Sequence, residues 1–359
     1  MKKKLILVSL IVLLILVQFS FVQAAENEKV YESVAITTEF HVPHGTSLPS
    51  KTATYNFVQD TTDTSIDALS TDVVSISDIT VDLSTLTNPT TASGVDKYVT
   101  TSTIPLSVSN FPHAGVYKYN VTCTTADDGN FDANMENDSY VLEVYVKNGT
   151  NGLEIAGIVV FDGNEKIEAA ANGNANNFKF LHQYYDTKPA SITKKIEGEY
   201  ANKTETFQYQ AVVTLPDING KETFISSLQS LAGVNVSVNG NVVTITGIEL
   251  GDNETFDLPN LPVGTQISVT ETGKPLYTPS YTFNSQNGGT GTEGSNLTAT
   301  HDVDQTNGAI FVFTNTFDDS TTTPITGLIV NNLPYILLII VALVGIALLF
   351  VIDKKRKNN

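Results

Sequence analysis

Apolar and polar residues alternate with a period of two along much of this chain. Tyr117, Tyr119 and Val121 are spaced this way, as are Tyr140, Leu142, Val144 and Val146. Phe207, Tyr209, Ala211, Val213 and Leu215 repeat the pattern. A strand sends successive side chains to opposite faces, so the alternation predicts half-buried β-strands. Val234 to Val238, then Asn239-Gly240, then Val242 to Ile245 reads as a hairpin on a favoured Asn-Gly turn. Apart from the two terminal segments, no long stretch has helical spacing. Many short strands separated by Gly, Asn and Asp turns predict an all-β chain made of β-sandwiches.

The two ends break the pattern. Met1-Lys2-Lys3-Lys4 precedes an apolar run from Leu5 to Phe21 and the segment Val22-Gln23-Ala24. A basic start, an apolar core and small residues at the cut make residues 1–24 a secretory signal peptide, with Ala25 as the alternative cleavage point. At the other end, residues 336–352 form an unbroken apolar run long enough to cross a bilayer as a helix. Lys354-Lys355-Arg356-Lys357 follows it and would hold that end on the cytoplasmic side. Ahead of the run stands Thr323-Pro324-Ile325-Thr326-Gly327.

Between these ends the chain repeats itself weakly. Ile36-Thr37-Thr38-Glu39-Phe40 matches Ile192-Thr193-Lys194-Lys195-Ile196. Tyr119 to Cys123 matches Ile267 to Glu271, and Phe178 to His182 matches Phe311 to Asn315. Three matches in one order predict two copies of one sandwich, over residues 25–187 and 188–319, with residues 320–359 as a terminal signal. The copies meet near Asp186-Thr187-Lys188-Pro189.

Charge and composition narrow the function. The whole chain carries a net charge of −18. Removing the leader and everything after Thr326 takes away seven basic residues and Asp353, leaving 13 Lys and Arg against 37 Asp and Glu, or −24. Such a polyanion repels phosphates, which excludes a nucleic-acid partner. The single cysteine, Cys123, excludes an intramolecular disulfide framework in an exported protein. Its five histidines show no metal-ligand grouping beyond His41-Val42-Pro43-His44, which reads as a loop. No cofactor fingerprint, metal set or turnover site is expected, and the chain does not read as an enzyme.

The order of a Pro-x-Thr-Gly motif, an apolar span and a basic tail resembles a sortase sorting signal of Gram-positive bacteria. By that resemblance a transpeptidase cuts between Thr326 and Gly327 and joins the Thr326 carboxyl to an amine. Thr323 stands where the family usually has Leu. A plain single-pass anchor is the other reading of this segment.

The stretch Ser191 to Gly198, the stretches Leu261-Pro262-Val263-Gly264 and Val269-Thr270-Glu271, and Phe311-Val312-Phe313-Thr314-Asn315 resemble the C-terminal domain of two-domain streptococcal major pilins. The resemblance implies two tandem immunoglobulin-like (CnaB-like) sandwiches. It also implies a spontaneous amide between the side chains of Lys194 and Asn315, with Glu271 as the proton shuttle. A buried Lys is pushed towards its neutral, nucleophilic form, and a buried Glu towards the neutral acid that polarises the Asn carbonyl. The first copy has Thr38, Cys123 and His182 at the matching places, where this chemistry cannot run. There Cys123 and His182 are either a reactive thiol pair or packed core residues.

A polymerising pilin also needs an exposed acceptor lysine, for which Lys166 is the first candidate and Lys179 the second. The partners implied are further pilin subunits joined head to tail, sortase and peptidoglycan, at a wall-anchored pilus on the cell surface. Two rival functions remain: a wall-anchored adhesin or minor pilin that binds a host ligand, and a secreted enzyme using Cys123 and His182.

Overall fold

A computed structural model describes residues 33–136, 139–167, 178–318, 335 and 337–346. The expected leader, the Thr323–Gly327 motif and the basic tail lie outside the described residues. Residues 337–346 are helical, while Ile336 and residues 347–352 of the apolar run lie outside. Among the described residues no helix is long and apolar enough to cross a membrane. The chain divides into two compact units, one ending at Tyr185 and the other opening at Asp186, with Pro43–Thr46 grouped with the second.

The first unit holds eleven strands among the described residues. They are β1 (Ser33–Pro43), β2 (Thr52–Asp60), β3 (Ile79–Asp82), β4 (Thr90–Ala92), β5 (Val95–Pro105) and β6 (Gly115–Cys123). Then come β7 (Phe131–Asp132), β8 (Ser139–Gly149), β9 (Gly152–Asp162), β10 (Glu165–Ile167) and β11 (Lys179–Tyr184). One sheet runs β4-β5-β1-β11-β7 and the other β10-β9-β8-β6-β2-β3. The alternating positions point inward as predicted: Tyr117, Tyr119, Val121, Leu142 and Val144 are fully buried and join Ile36, Phe40 and Phe180 from the facing sheet in one core.

The second unit contains β12 (Thr187–Glu197), β13 (Phe207–Thr214), β14 (Asn235–Asn239), β15 (Val242–Leu250) and β16 (Thr255–Pro262). It continues with β17 (Gln266–Glu271), β18 (Tyr277–Phe283), β19 (Gln286–Thr290), β20 (Leu297–Asp302) and β21 (Ala309–Phe317). Its sheets run β16-β12-β21-β18-β19 and β14-β15-β13-β17-β20 around a core that includes Ile192, Phe207, Val269, Phe311 and Phe313. Pro189 sits inside the central strand β12 where a proline cannot donate to the ladder. The register shifts between Lys188 and Ala190, so the proline occupies an irregularity in the pairing with β16.

Two local expectations change. The hairpin forms, but its loop is Gly240-Asn241, since Asn239 pairs with Val242. Gly240 alone takes a positive φ, +61°, which fits a turn with glycine first in the loop. Asn241 then clamps the turn by donating from Nδ2 to the Leu215 carbonyl at 2.7 Å. A short helix, α1 (Lys221–Gln229), was not expected. Phe224, Ile225 and Leu228 form its apolar stripe against the core, a helical spacing too brief to stand out among strands.

In both units the first and last strands lie side by side and run parallel. β1 pairs with β11, and β12 with β21. The entry into β21 is set by a turn in which the Asp304 carboxylate accepts from the Thr306 and Asn307 amides at 2.8 Å each. Gly308 closes that turn at φ +73°, and a Cβ there would overlap the Pro189 carbonyl oxygen of β12. Gly308→Ala is therefore expected to destabilise the second unit by roughly 1–3 kcal/mol, measured by urea unfolding of the uncrosslinked form, because the left-handed backbone and the clash both oppose it.

Candidate functional site

Each of three inward stripes in the second unit carries one polar residue where a hydrophobic one is expected. On β12 the buried positions are Ala190, Ile192, Lys194 and Ile196. On β17 they are Ile267, Val269 and Glu271, and on β21 Ala309, Phe311, Phe313 and Asn315. Lys194, Glu271 and Asn315 each have zero exposure. Lys194 lies opposite Phe313 in the parallel ladder, two residues before Asn315, and its long side chain spans that offset.

The amine of Lys194 donates to Asn315 Oδ1 at 2.5 Å. It stands 3.5 and 3.3 Å from Glu271 Oε1 and Oε2, and 3.9 Å from the centre of the Phe207 ring. Asn315 Nδ2 is buried and has no hydrogen-bond partner among the described residues. Burial pushes the Lys194 amine down to about 8, against the opposing pull of the Glu271 charge. Near neutral pH a free-base amine is thus within reach, pressed against a carboxamide whose nitrogen nothing holds. This arrangement permits attack of Nζ on Cγ, with Glu271 close enough to exchange protons.

Tyr209 was not among the expected site residues. It faces Glu271 directly across the β13–β17 ladder, and its hydroxyl donates to Glu271 Oε2 at 2.9 Å. Alternation marked Tyr209 as inward, but nothing in it located a partner for the hydroxyl.

The first unit repeats the frame with other chemistry. Thr38 lies opposite Phe180 in the β1–β11 ladder, two residues before His182, the same offset that separates Lys194 from Asn315. Tyr55 faces Cys123 across β2–β6 as Tyr209 faces Glu271. Here the tyrosine hydroxyl lies 2.7 Å from Thr38 Oγ1 and 2.8 Å from His182 Nε2, and His182 Nδ1 meets the Ala133 carbonyl. A carbonyl only accepts, so Nδ1 carries the ring proton, Nε2 accepts from Tyr55, and Tyr55 accepts from Thr38. Both imidazole nitrogens are thereby engaged. The reading of Cys123 and His182 as a reactive pair is corrected: no nitrogen of His182 is left to serve as base to the partly buried Cys123.

Lys179 lies in an acidic setting, 3.5 Å from Glu39 and 3.4 Å from Glu136. Burial works against the Glu39 charge, but Lys97, His41 and Lys179 together hold its carboxyl below the usual range. Lys166, on the edge strand β10, is exposed and has no ion pair among the described residues.

A family model described as a domain of unknown function (DUF7601) matches residues 190–317, a span that contains all three polar residues. No curated protein matches the chain. Among solved structures, the chain is similar to a major pilin protein (T3.2) of Streptococcus pyogenes at 16% identity, with a TM-score of 0.34, covering 81% of this chain and 99% of that one. Another Streptococcus pyogenes major pilin gives 16% identity and a TM-score of 0.34, with 80% and 99% covered. A pilus-presented adhesin (Cpa) gives 16% identity and a TM-score of 0.25 over 50% of this chain and 37% of that one.

Burial holds the His182 imidazole down at about 4 from its ordinary 6.5, with Asp132 and the Ala133 carbonyl opposing. The folded state therefore binds fewer protons than the unfolded chain between those values, and stability falls as pH drops from about 6.5 to about 4. The first unit is expected to lose up to about 3 kcal/mol across that window. Urea unfolding against pH checks this, and His182→Gln should flatten the slope.

Proposed function

We propose that this chain is a structural subunit of a sortase-assembled surface pilus, built of two CnaB-like immunoglobulin-type sandwiches, the second closed by a self-made Lys194–Asn315 amide. The observation that carries the reading is the Lys194 amine 2.5 Å from Asn315 Oδ1, with Asn315 Nδ2 unpartnered, in a site without water-exposed surface. The secretory leader and the sorting-type tail support export and anchoring to peptidoglycan after passage through the membrane. The residues act as substrates of one bond-forming event and do not turn over.

The chemistry balances without a co-reactant. Nζ bonds to Cγ, the Cγ–Nδ2 bond breaks, and Nδ2 leaves as ammonia with a proton that began on Nζ and travels by way of Glu271. The resulting loop spans 121 residues of sequence. On the loop-entropy account of crosslinks, closing a loop that long stabilises by about 4–5 kcal/mol. Joining Thr326 of one subunit to a lysine of the next is a heterologous contact that does not close, so it builds a fibre. Lys166 is the better acceptor, being exposed on an edge strand, whereas Lys179 is held by two carboxylates.

The intact mass of recombinant residues 25–326 should fall one ammonia short of the sequence mass, and Glu271→Ala or Glu271→Gln should restore it. Full mass in the parent chain would remove the amide from the reading. In wall extracts of the producing cell, Lys166→Arg should collapse a high-mass ladder to single subunits while Lys179→Arg leaves it in place. A ladder that survives both substitutions together would mean neither lysine is the acceptor.

A further inference from the structure

We infer that Tyr209 is a positioning residue for amide formation, fixing the Glu271 carboxyl in the orientation that carries the proton from Lys194 to the departing Asn315 nitrogen. The inference rests on the amide reading above and adds a residue to it.

Glu271 has to do two opposite things in one bond-forming event: accept a proton from the attacking amine and deliver one to the leaving nitrogen. A carboxyl free to rotate would do this poorly, since proton transfer needs hydrogen-bond reach in a set direction. Lys194 does not impose that direction. Its two contacts with the carboxyl are long and nearly equal, 3.5 and 3.3 Å. Among the described residues the Tyr209 hydroxyl is the only other hydrogen-bond partner of the Glu271 side chain, at 2.9 Å on Oε2.

Tyr209 is itself fixed. It is buried, sits opposite Glu271 in the ladder, and meets the Phe313 ring edge-on at 5.4 Å. Phe313 is in turn the ladder partner of Lys194, so one aromatic contact ties the holder of the carboxyl to the strand bearing the electrophile. Burial and the nearby Glu271 charge raise the phenol well above its ordinary range, so it remains a donor throughout. With the phenol proton occupying one site on Oε2, the travelling proton is confined to the remaining carboxyl sites, which lie 3.5 and 3.3 Å from Nζ. Tyr55 shows where the same position turns when no carboxylate is present: its hydroxyl bonds Thr38 and His182 instead.

The test is a rate. The full-length chain and its Tyr209→Phe variant are made by cell-free synthesis and chased at fixed pH, and the fraction lacking one ammonia is followed by mass. Phenylalanine keeps the ring and its contact with Phe313, so the fold is retained. Tyr209→Phe should slow the reaction about tenfold, a modest share of the 10²–10⁴ that a well-placed general acid–base supplies. It should also move the pH–rate profile. The phenol holds the carboxyl that carries the proton, so its loss should displace the profile along the pH axis and not merely lower it. A slower reaction with an unshifted profile would reduce Tyr209 to a packing residue and overturn the inference. An unchanged rate would also overturn it, with the amide reading intact. No ammonia loss in the parent chain would sink the amide reading itself, and this inference with it.

Discussion

Placing a lysine amine where no water reaches it costs several kcal/mol unless other groups take over from solvent, and the second unit is arranged around that requirement. The charge of Lys194 has three supports: a carboxyl, a carboxamide oxygen and the face of an aromatic ring. Those supports come from three separate strands, so the site exists only when both sheets are in register. Burial at the same time lowers the amine's proton affinity, which makes a reactant of a group that is ordinarily inert at neutral pH. A buried pair of this kind is weak as a source of stability. As the prelude to a covalent bond it is well placed.

The two units solve one structural problem with different chemistry. Each must hold its first strand beside its last, in parallel. In the second unit the polar set at that seam brings the Lys194 amine against the Asn315 carboxamide, the pair that the proposed amide would join. In the first, a neutral chain from Thr38 through Tyr55 and His182 to Ala133 links the same places by hydrogen bonds. The chain leaves no donor or acceptor of His182 unused, and its burial is why the imidazole stays uncharged and why acid works against it.

With the proposed amide in place, tension entering at β12 would leave through β21 without loading anything between Lys194 and Asn315. The first unit has no such bypass, and its seam would bear the load through non-covalent contacts, the hydrogen bonds and the Glu39–Lys179 ion pair. On the proposed reading, the chain would be stiff in one half and yielding in the other.

Much of this was legible in the chain itself. Period-two alternation gave the strands around Tyr119, Leu142 and Tyr209, because strand geometry leaves a side chain only two directions to point. Three short matches suggested the duplication, and the resemblance of the matched stretches to major pilins singled out Lys194, Glu271 and Asn315, which the fold buries side by side. Other features were beyond it. The hairpin loop moved by one residue because Asn241 clamps onto Leu215, a contact that no local pattern encodes. The helix α1 was hidden because nine residues are too few for a 3.6-residue period to assert itself. A reactive pair of Cys123 and His182 was one of two readings of the repeat, beside packed core residues, and the fold gives both ring nitrogens other partners. What the sequence determined by itself was which positions face inward, since that depends only on backbone geometry and hydrophobicity. What the tertiary structure decided was which inward polar groups meet. That depends on the stagger between strands far apart in the chain, and only the packed sheets fix it.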